Sequence, residues 1–171
     1  MFEGEYLNGE RNGKGKEYDF DGKLKFEGEY LNGKRNGKGK EYDYFTGKLK
    51  FEGEYLNGKW NGKGIEYYNG KLIFEGEYLY GERNGKGKEY DGYDDSLKFE
   101  GEYLNGKRNG KGKEYHWDGR LEFEGEYLNG KRNGQGKEYY NDGTLKFEGE
   151  YLNGEKWNGN GYLMNIILVE F

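Results

Sequence analysis

A phenylalanine opens a motif that recurs seven times, at Phe2, Phe26, Phe51, Phe74, Phe99, Phe123 and Phe147. The spacings run from 23 to 25 residues, with Tyr four residues on and Leu five residues on in every copy. A period of this length rules out one rounded core. Each copy packs on its neighbours, and the chain folds as a quasi-one-dimensional array. The copies span 2–25, 26–50, 51–73, 74–98, 99–122, 123–146 and 147–171. Four glycine columns, Gly28, Gly33, Gly37 and Gly39 in the second copy, have partners in all seven and account for 28 of the 34 glycines.

Each copy holds two strand-like runs. In the first, Leu24 to Tyr30, Leu24, Phe26, Gly28 and Tyr30 alternate with Lys25, Glu27 and Glu29. That period of two marks a strand with one apolar face. The second run is Gly37 to Tyr42, and two Asn-Gly steps between the runs suit turn positions with φ > 0. A second turn, such as Asp21-Gly22, leads into the next copy. Setting Tyr30 opposite Gly37 pairs Glu29 with Lys38, Gly28 with Gly39 and Glu27 with Lys40. One face then carries a ladder of charge pairs, and the other carries aromatic rings over glycine. The expected fold is all-β: an elongated single-layer antiparallel sheet of consecutive β-hairpins, with about 14 strands.

The stretch FEGEYLNGKRNGKGKEY resembles the MORN repeat, with its aromatic-x-Gly start, hairpin Asn-Gly, Gly-x-Gly and tyrosine. The resemblance covers the whole chain. The family often has His before the second glycine of the loop, where this chain has Asn, as at Asn36. GKLKFEGEYLNGK is also similar to repeats of bacterial antitoxin-like proteins. The MORN resemblance implies protein–protein recognition, often of a helical segment in a groove, and a link to phosphoinositides.

Composition narrows the function classes. Hydrophobic content of 32% with 36% charge would suggest disorder, but an aromatic share of 19% in strict register argues for a fold. Proline is absent, so nothing interrupts strand ladders. Without cysteine, and with His116 as the sole histidine, neither a thiolate nor a histidine metal site is expected, and no cofactor is implied. A net charge of −5 gives no basic footprint for nucleic acid. No signal peptide is expected, because Phe2 already belongs to the first copy, and no apolar run reaches membrane-spanning length. A soluble cytoplasmic protein is the expectation, with attachment to a membrane or the cytoskeleton as the second reading. Carboxylate and lysine pairs recur in every copy, whereas an active site is singular. The chain is therefore read as no enzyme.

Departures from the repeat are few. The loop column reads Arg11, Arg35, Trp60, Arg83, Arg108, Arg132 and Trp157. These flat groups can stack on Tyr, and either cover the sheet edge or form a contact rim. Ile65 replaces a ladder lysine, Tyr80 replaces an Asn, and Asp95 stands where copy two has Gly47. Copy seven, GEKWNGNG, has an extra residue. In the tail Leu163–Phe171, Val169 and Phe171 fall in the Leu and Phe columns of an eighth copy. That tail is either a sealing strand or an edge for self-association.

The functional expectation follows from the single layer. A sheet one layer thick leaves its ring face open, so the rings form a groove for a partner. The residues expected to bind are Phe51, Tyr55, Phe74, Tyr78, Phe99 and Tyr103, and the expected occupant is a helical or extended peptide of another protein. A peripheral membrane module that binds anionic phosphoinositide is one alternative, and an antitoxin-like neutralising partner is another.

Overall fold

The computed structural model describes residues 1–162. The expectations for the tail Leu163–Phe171 fall outside these residues. Among the described residues, fourteen strands form one antiparallel sheet in sequence order. They are β1 (Phe2–Leu7), β2 (Glu10–Tyr18), β3 (Leu24–Leu31), β4 (Lys34–Tyr42), β5 (Leu49–Leu56), β6 (Lys59–Tyr68) and β7 (Lys71–Leu79). The second half comprises β8 (Glu82–Tyr90), β9 (Leu97–Leu104), β10 (Lys107–Tyr115), β11 (Leu121–Leu128), β12 (Lys131–Tyr139), β13 (Leu145–Leu152) and β14 (Glu155–Gly161).

The hairpin tips show why Asn-Gly recurs. Asn32 and Gly33 have φ of 47° and 77°, the two left-handed central positions that match the twist of paired strands. Each tip is tied backwards: Gly33 N donates to Arg11 O at 2.9 Å, and Gly58 N to Arg35 O at 2.8 Å. The Asn that stands where the family often has His adds to this tie, since Asn36 Oδ1 accepts the Asn57 N–H at 3.3 Å. Asp95 has φ 62°, close to the 67° of Gly47, as its column implies. Tyr80 occupies the same left-handed position as Asn32, with φ 53°, and its ring is exposed. A bulky residue is strained there, and Asn is not. Tyr80→Asn is expected to stabilise the fold by about 1 kcal/mol, raising the melting temperature by about 2–4 °C. A melting temperature unchanged or lowered in calorimetry would refute the strain.

Register within a hairpin follows the expected pairs for Glu27↔Lys40 and Gly28↔Gly39 and then departs from them. Tyr30 faces Arg35, not Gly37, because Asn36, Gly37 and Lys38 bulge out opposite Glu29. Gly37 faces Tyr55 of the next copy. The bulge explains the third glycine column, since Gly37 has φ 94°. The Glu29 carboxylate folds over it and accepts the Lys38 N–H at 3.2 Å. A second irregularity lies between copies, where Tyr42 pairs with Leu49 and Glu41 with Phe51. It brings Lys50 to the ring face, where its ammonium sits 3.0 Å from Glu41 and 5.5 Å from the Trp60 ring. Strict alternation would have put Lys50 on the opposite face.

Candidate functional site

The two faces of the sheet differ in what they leave open. On one, phenylalanine and tyrosine interlock along the whole array. Each Tyr stands edge-on to the Phe of its own strand and to that of the preceding copy: Tyr78 lies 5.6 Å from Phe74 and 5.2 Å from Phe51, and Tyr103 lies 5.5 Å from Phe99 and 5.1 Å from Phe74. Edge-to-face contacts at such distances suit the ring quadrupoles. Arginines close the layer from above. The Arg83 guanidinium lies 4.1 Å from the Phe74 centroid and Arg108 lies 4.2 Å from that of Phe99, while Trp60 stacks on Phe51 at 4.2 Å.

A glutamate column holds these caps. Arg35 bridges Glu17 of the preceding copy and Glu41 of its own, each at 3.3 Å, and Arg108 bridges Glu89 at 3.1 Å and Glu114 at 2.8 Å. Buried Tyr30, Tyr55, Tyr103 and Tyr151 donate to the same column, Tyr103 to Glu89 and Tyr55 to Glu41, whereas the Tyr78 and Tyr127 hydroxyls lack a partner among the described residues. Burial, reinforced by the neighbouring carboxylate, pushes the Tyr103 and Tyr55 phenols well above their ordinary range. This column escaped the sequence reading, although its recurrence in the first six copies and its ring-face parity were legible.

The expectation of an open ring groove is therefore corrected. Phe51, Phe74 and Phe99 are fully buried, and Tyr55, Tyr78 and Tyr103 nearly so. The six are brought together as core, beneath the array's own Arg–Glu layer. The loop column covers rings rather than the sheet edge. In copy seven, Lys156 and not Trp157 takes the covering place, 4.9 Å from the Phe147 ring. Trp157 is exposed. The bulge there is one residue smaller: Gly149 faces Gly159 and Tyr151 faces Lys156, so Gly161 falls in the glutamate column and not in a glycine column.

Glu138 is the most enclosed carboxylate of this layer. Burial works against its charge, but Lys146 and Lys156 hold its pKa down to about 2. Tyr151 also donates to it at 3.1 Å. A carboxyl depressed in the folded state adds stability above its unfolded pKa and loses it as pH falls towards the folded value. The melting temperature is expected to drop between about pH 4.5 and about pH 2. Glu138→Gln should show a shallower drop in that window. Parallel curves for the two proteins would remove Glu138 as the cause.

The opposite face carries the open surface. A trough of about 1000 Å³ runs from Lys63 on β6 to Glu148 on β13, and a second, of about 720 Å³, runs from Glu3 on β1 to Lys63. The paired glycines, such as Gly76 and Gly87, form the floor, because their missing side chains belong to the ring face. Two charged rows form the walls. Odd strands supply glutamates to both, as Glu75 and Glu77 do on β7, and even strands supply lysines, as Lys86 and Lys88 do on β8. Sign therefore alternates from strand to strand, except where Ile65 faces Glu52 and Glu75 and where Gln135 stands in a lysine place opposite Glu150.

Both walls are held in place. Along one, Tyr42 donates to Glu27 at 2.7 Å, Tyr90 to Glu75 and Tyr115 to Glu100, both at 2.6 Å. Burial and the adjacent carboxylate push Tyr42 and Tyr90 up to about 12. Along the other, Glu29 and Glu126 accept backbone N–H groups of the bulges. Ion pairs across copies, Lys40–Glu52 at 3.4 Å and Lys137–Glu148 at 3.0 Å, are half exposed. Such pairs contribute roughly 0–1 kcal/mol each and serve register more than stability.

An interlocked core one strand thick, with a preformed trough along its back, defines a repeat scaffold. The sequence pattern says which one. The MORN repeat family model matches residues 2–23, 26–44, 51–71, 74–92, 99–118 and 123–145, and the chain belongs to that family. The hairpin of β13 and β14, with its smaller bulge, follows the matched copies. No curated protein matches the chain. Among the described residues, no helix is long and apolar enough to cross a membrane.

Proposed function

We propose that the chain is a non-catalytic scaffold whose glycine-floored trough, and not its ring face, receives a helical segment of a partner protein. The observation that carries this reading is the alternation of sign along both trough walls at one strand spacing, interrupted once on each wall, at Ile65 and at Gln135. Strands lie about 4.8 Å apart, and three to four residues of an α-helix rise about 4.5–6 Å. A helix laid across the strands therefore meets a new wall residue at each i, i+3 or i, i+4 step. Lys and Glu alternating at those steps on both flanks would pair with the walls, while small side chains rest on the floor. One heptad spans about 10.5 Å against about 9.6 Å for two strands, so tilt and sheet twist absorb the difference. Glutamates already fixed by tyrosine and backbone donors lose little freedom on binding.

The buried rings Phe51, Tyr55, Phe74, Tyr78, Phe99 and Tyr103 support the trough from beneath in this reading. Lysines interleaved with glutamates make a poor match to an anionic lipid surface, which calls for a basic cluster. Reactive pairs repeated in every copy favour recognition over catalysis.

The test uses a 28-residue helical peptide with an alanine floor face and alternating Glu and Lys flanks. Its control is an isomer in which the like charges are blocked together. The alternating peptide is expected to bind the parent at least tenfold more tightly than the isomer, by fluorescence anisotropy. Lys88→Glu with Lys113→Glu should remove most of that preference. If the double variant keeps it, the trough is not the site.

A further inference from the structure

The ribbon has two long edges, and one holds a feature that neither the core nor the trough uses. It is built from the six turns joining successive copies, residues 19–23, 43–48, 69–70, 91–96, 116–120 and 140–144. These are the least repetitive parts of the sequence, yet each turn holds or adjoins an aromatic residue. Four of these rings are largely bare: Phe20 is 86%, Phe45 85%, Tyr93 93% and Trp117 78% exposed. Tyr44 touches Phe20 of the preceding copy and its own neighbour Phe45, with centroids 6.2 and 5.1 Å apart. They bury little, so packing does not account for them.

Charge supplies the second observation. All eight aspartates of the chain lie in these turns, against only Lys23, Lys48 and Arg120. The excess equals the whole net charge of −5, so the rest of the chain is balanced and this edge alone is acidic. Lys71 and Lys98 on adjoining strands pair with Asp95 and Asp91, both in the turn that carries Tyr93. Several aspartates accept backbone N–H groups of their own turns, as Asp43 does from Thr46 and Asp91 from Tyr93. These bonds hold both carboxyls below the usual range and keep them charged.

We infer that this edge is a docking strip for an extended, arginine-containing segment of a partner, separate from the trough. A planar guanidinium stacks on an exposed ring while pairing with a neighbouring carboxylate, which a compact ammonium does less well. Spacing sets the pattern. Copies repeat every two strands, about 10 Å, and three residues of extended chain span the same distance. Arginine at every third residue thus places one guanidinium at each turn. The strip does not depend on how the trough is used.

The probe is a fluorescein-labelled peptide of six Arg-Gly-Ser repeats, with six Glu-Gly-Ser repeats as control, in anisotropy titrations against the full chain in about 0.1 M salt. The arginine peptide is expected to bind at least tenfold more tightly than the control. The variant Phe20→Ser, Phe45→Ser, Tyr93→Ser, Trp117→Ser should weaken binding at least fivefold with unchanged circular dichroism. Asp94→Asn with Asp95→Asn removes two charges, and Asn tolerates the left-handed backbone of position 95. It should weaken binding at least twofold. Failure of the parent to prefer the arginine peptide overturns the inference, and so does a folded variant of either kind that binds it as tightly as the parent.

Discussion

Truncating Phe74 to Ala is expected to destabilise the protein by about 3–5 kcal/mol, the range for deleting a fully buried aromatic ring. Phe74 has no exposed surface, and three partners would lose it: Tyr78, Tyr103 and the Arg83 guanidinium. Tyr103 and Arg83 do different work. The Phe74–Tyr103 contact joins copy four to copy five, whereas Arg83 would be left over a cavity, still paired to Glu66. A linear array has no distant contacts to compensate, so a weakened junction uncouples its two sides. Guanidinium unfolding should therefore show a lower midpoint together with a broadened or split transition. Fluorescence from Trp60 on one side and Trp117 on the other would report the two halves. A loss below about 1 kcal/mol with one sharp transition would mean that the rings are not the core.

Gly101→Val tests the other half of the same packing and should cost at least about 3 kcal/mol, the upper end of ordinary overpacking. A Cβ at Gly101 would lie 2.7 Å from the Gly112 Cα and 2.7 Å from the Lys111 carbonyl oxygen. Both are backbone atoms of β10, so no side chain can turn aside; the strands must part. The ring crowds the same place, with Phe99 Cζ also at 2.7 Å. Gly106→Ala provides the contrast. A Cβ there meets nothing within 4 Å, and only its φ of 76° resists substitution, at about 1 kcal/mol. If the two variants have the same midpoint in denaturant, close approach of paired strands is not what the first and fourth glycine columns serve.

Much of this arrangement could be read from the chain before any coordinates. Phe74 and Tyr78 share a parity with Gly76, which already placed rings over bare backbone. Asn32-Gly33 named the turn type, and Glu27 opposite Lys40 fixed the central register. What escaped was the consequence of irregular pairing. The bulge at Gly37 moves the Tyr–Gly pair from within a copy to between copies, and the shift at Tyr42 carries Lys50 across to the ring face. Trp157 looked like a member of the arginine column, but the smaller bulge of copy seven gives that place to Lys156. Bare rings in the turns carried no periodic signal, since their positions vary from turn to turn.

Taken alone, the sequence determined the array: its period, its alternation of strand and turn, and the columns that meet across strands. Those follow from local backbone preferences and from a two-residue side-chain period, both of which are written in the order of residues. Only the tertiary structure decided which face is open. Arg83 and Arg108 reach over rings on their partner strands because glutamates on neighbouring strands hold their guanidinium groups there, and the Tyr103 hydroxyl joins the same network. Coverage of a surface depends on where long side chains from several strands converge. The geometry of the bulges sets that convergence, and a column of identical letters does not contain it.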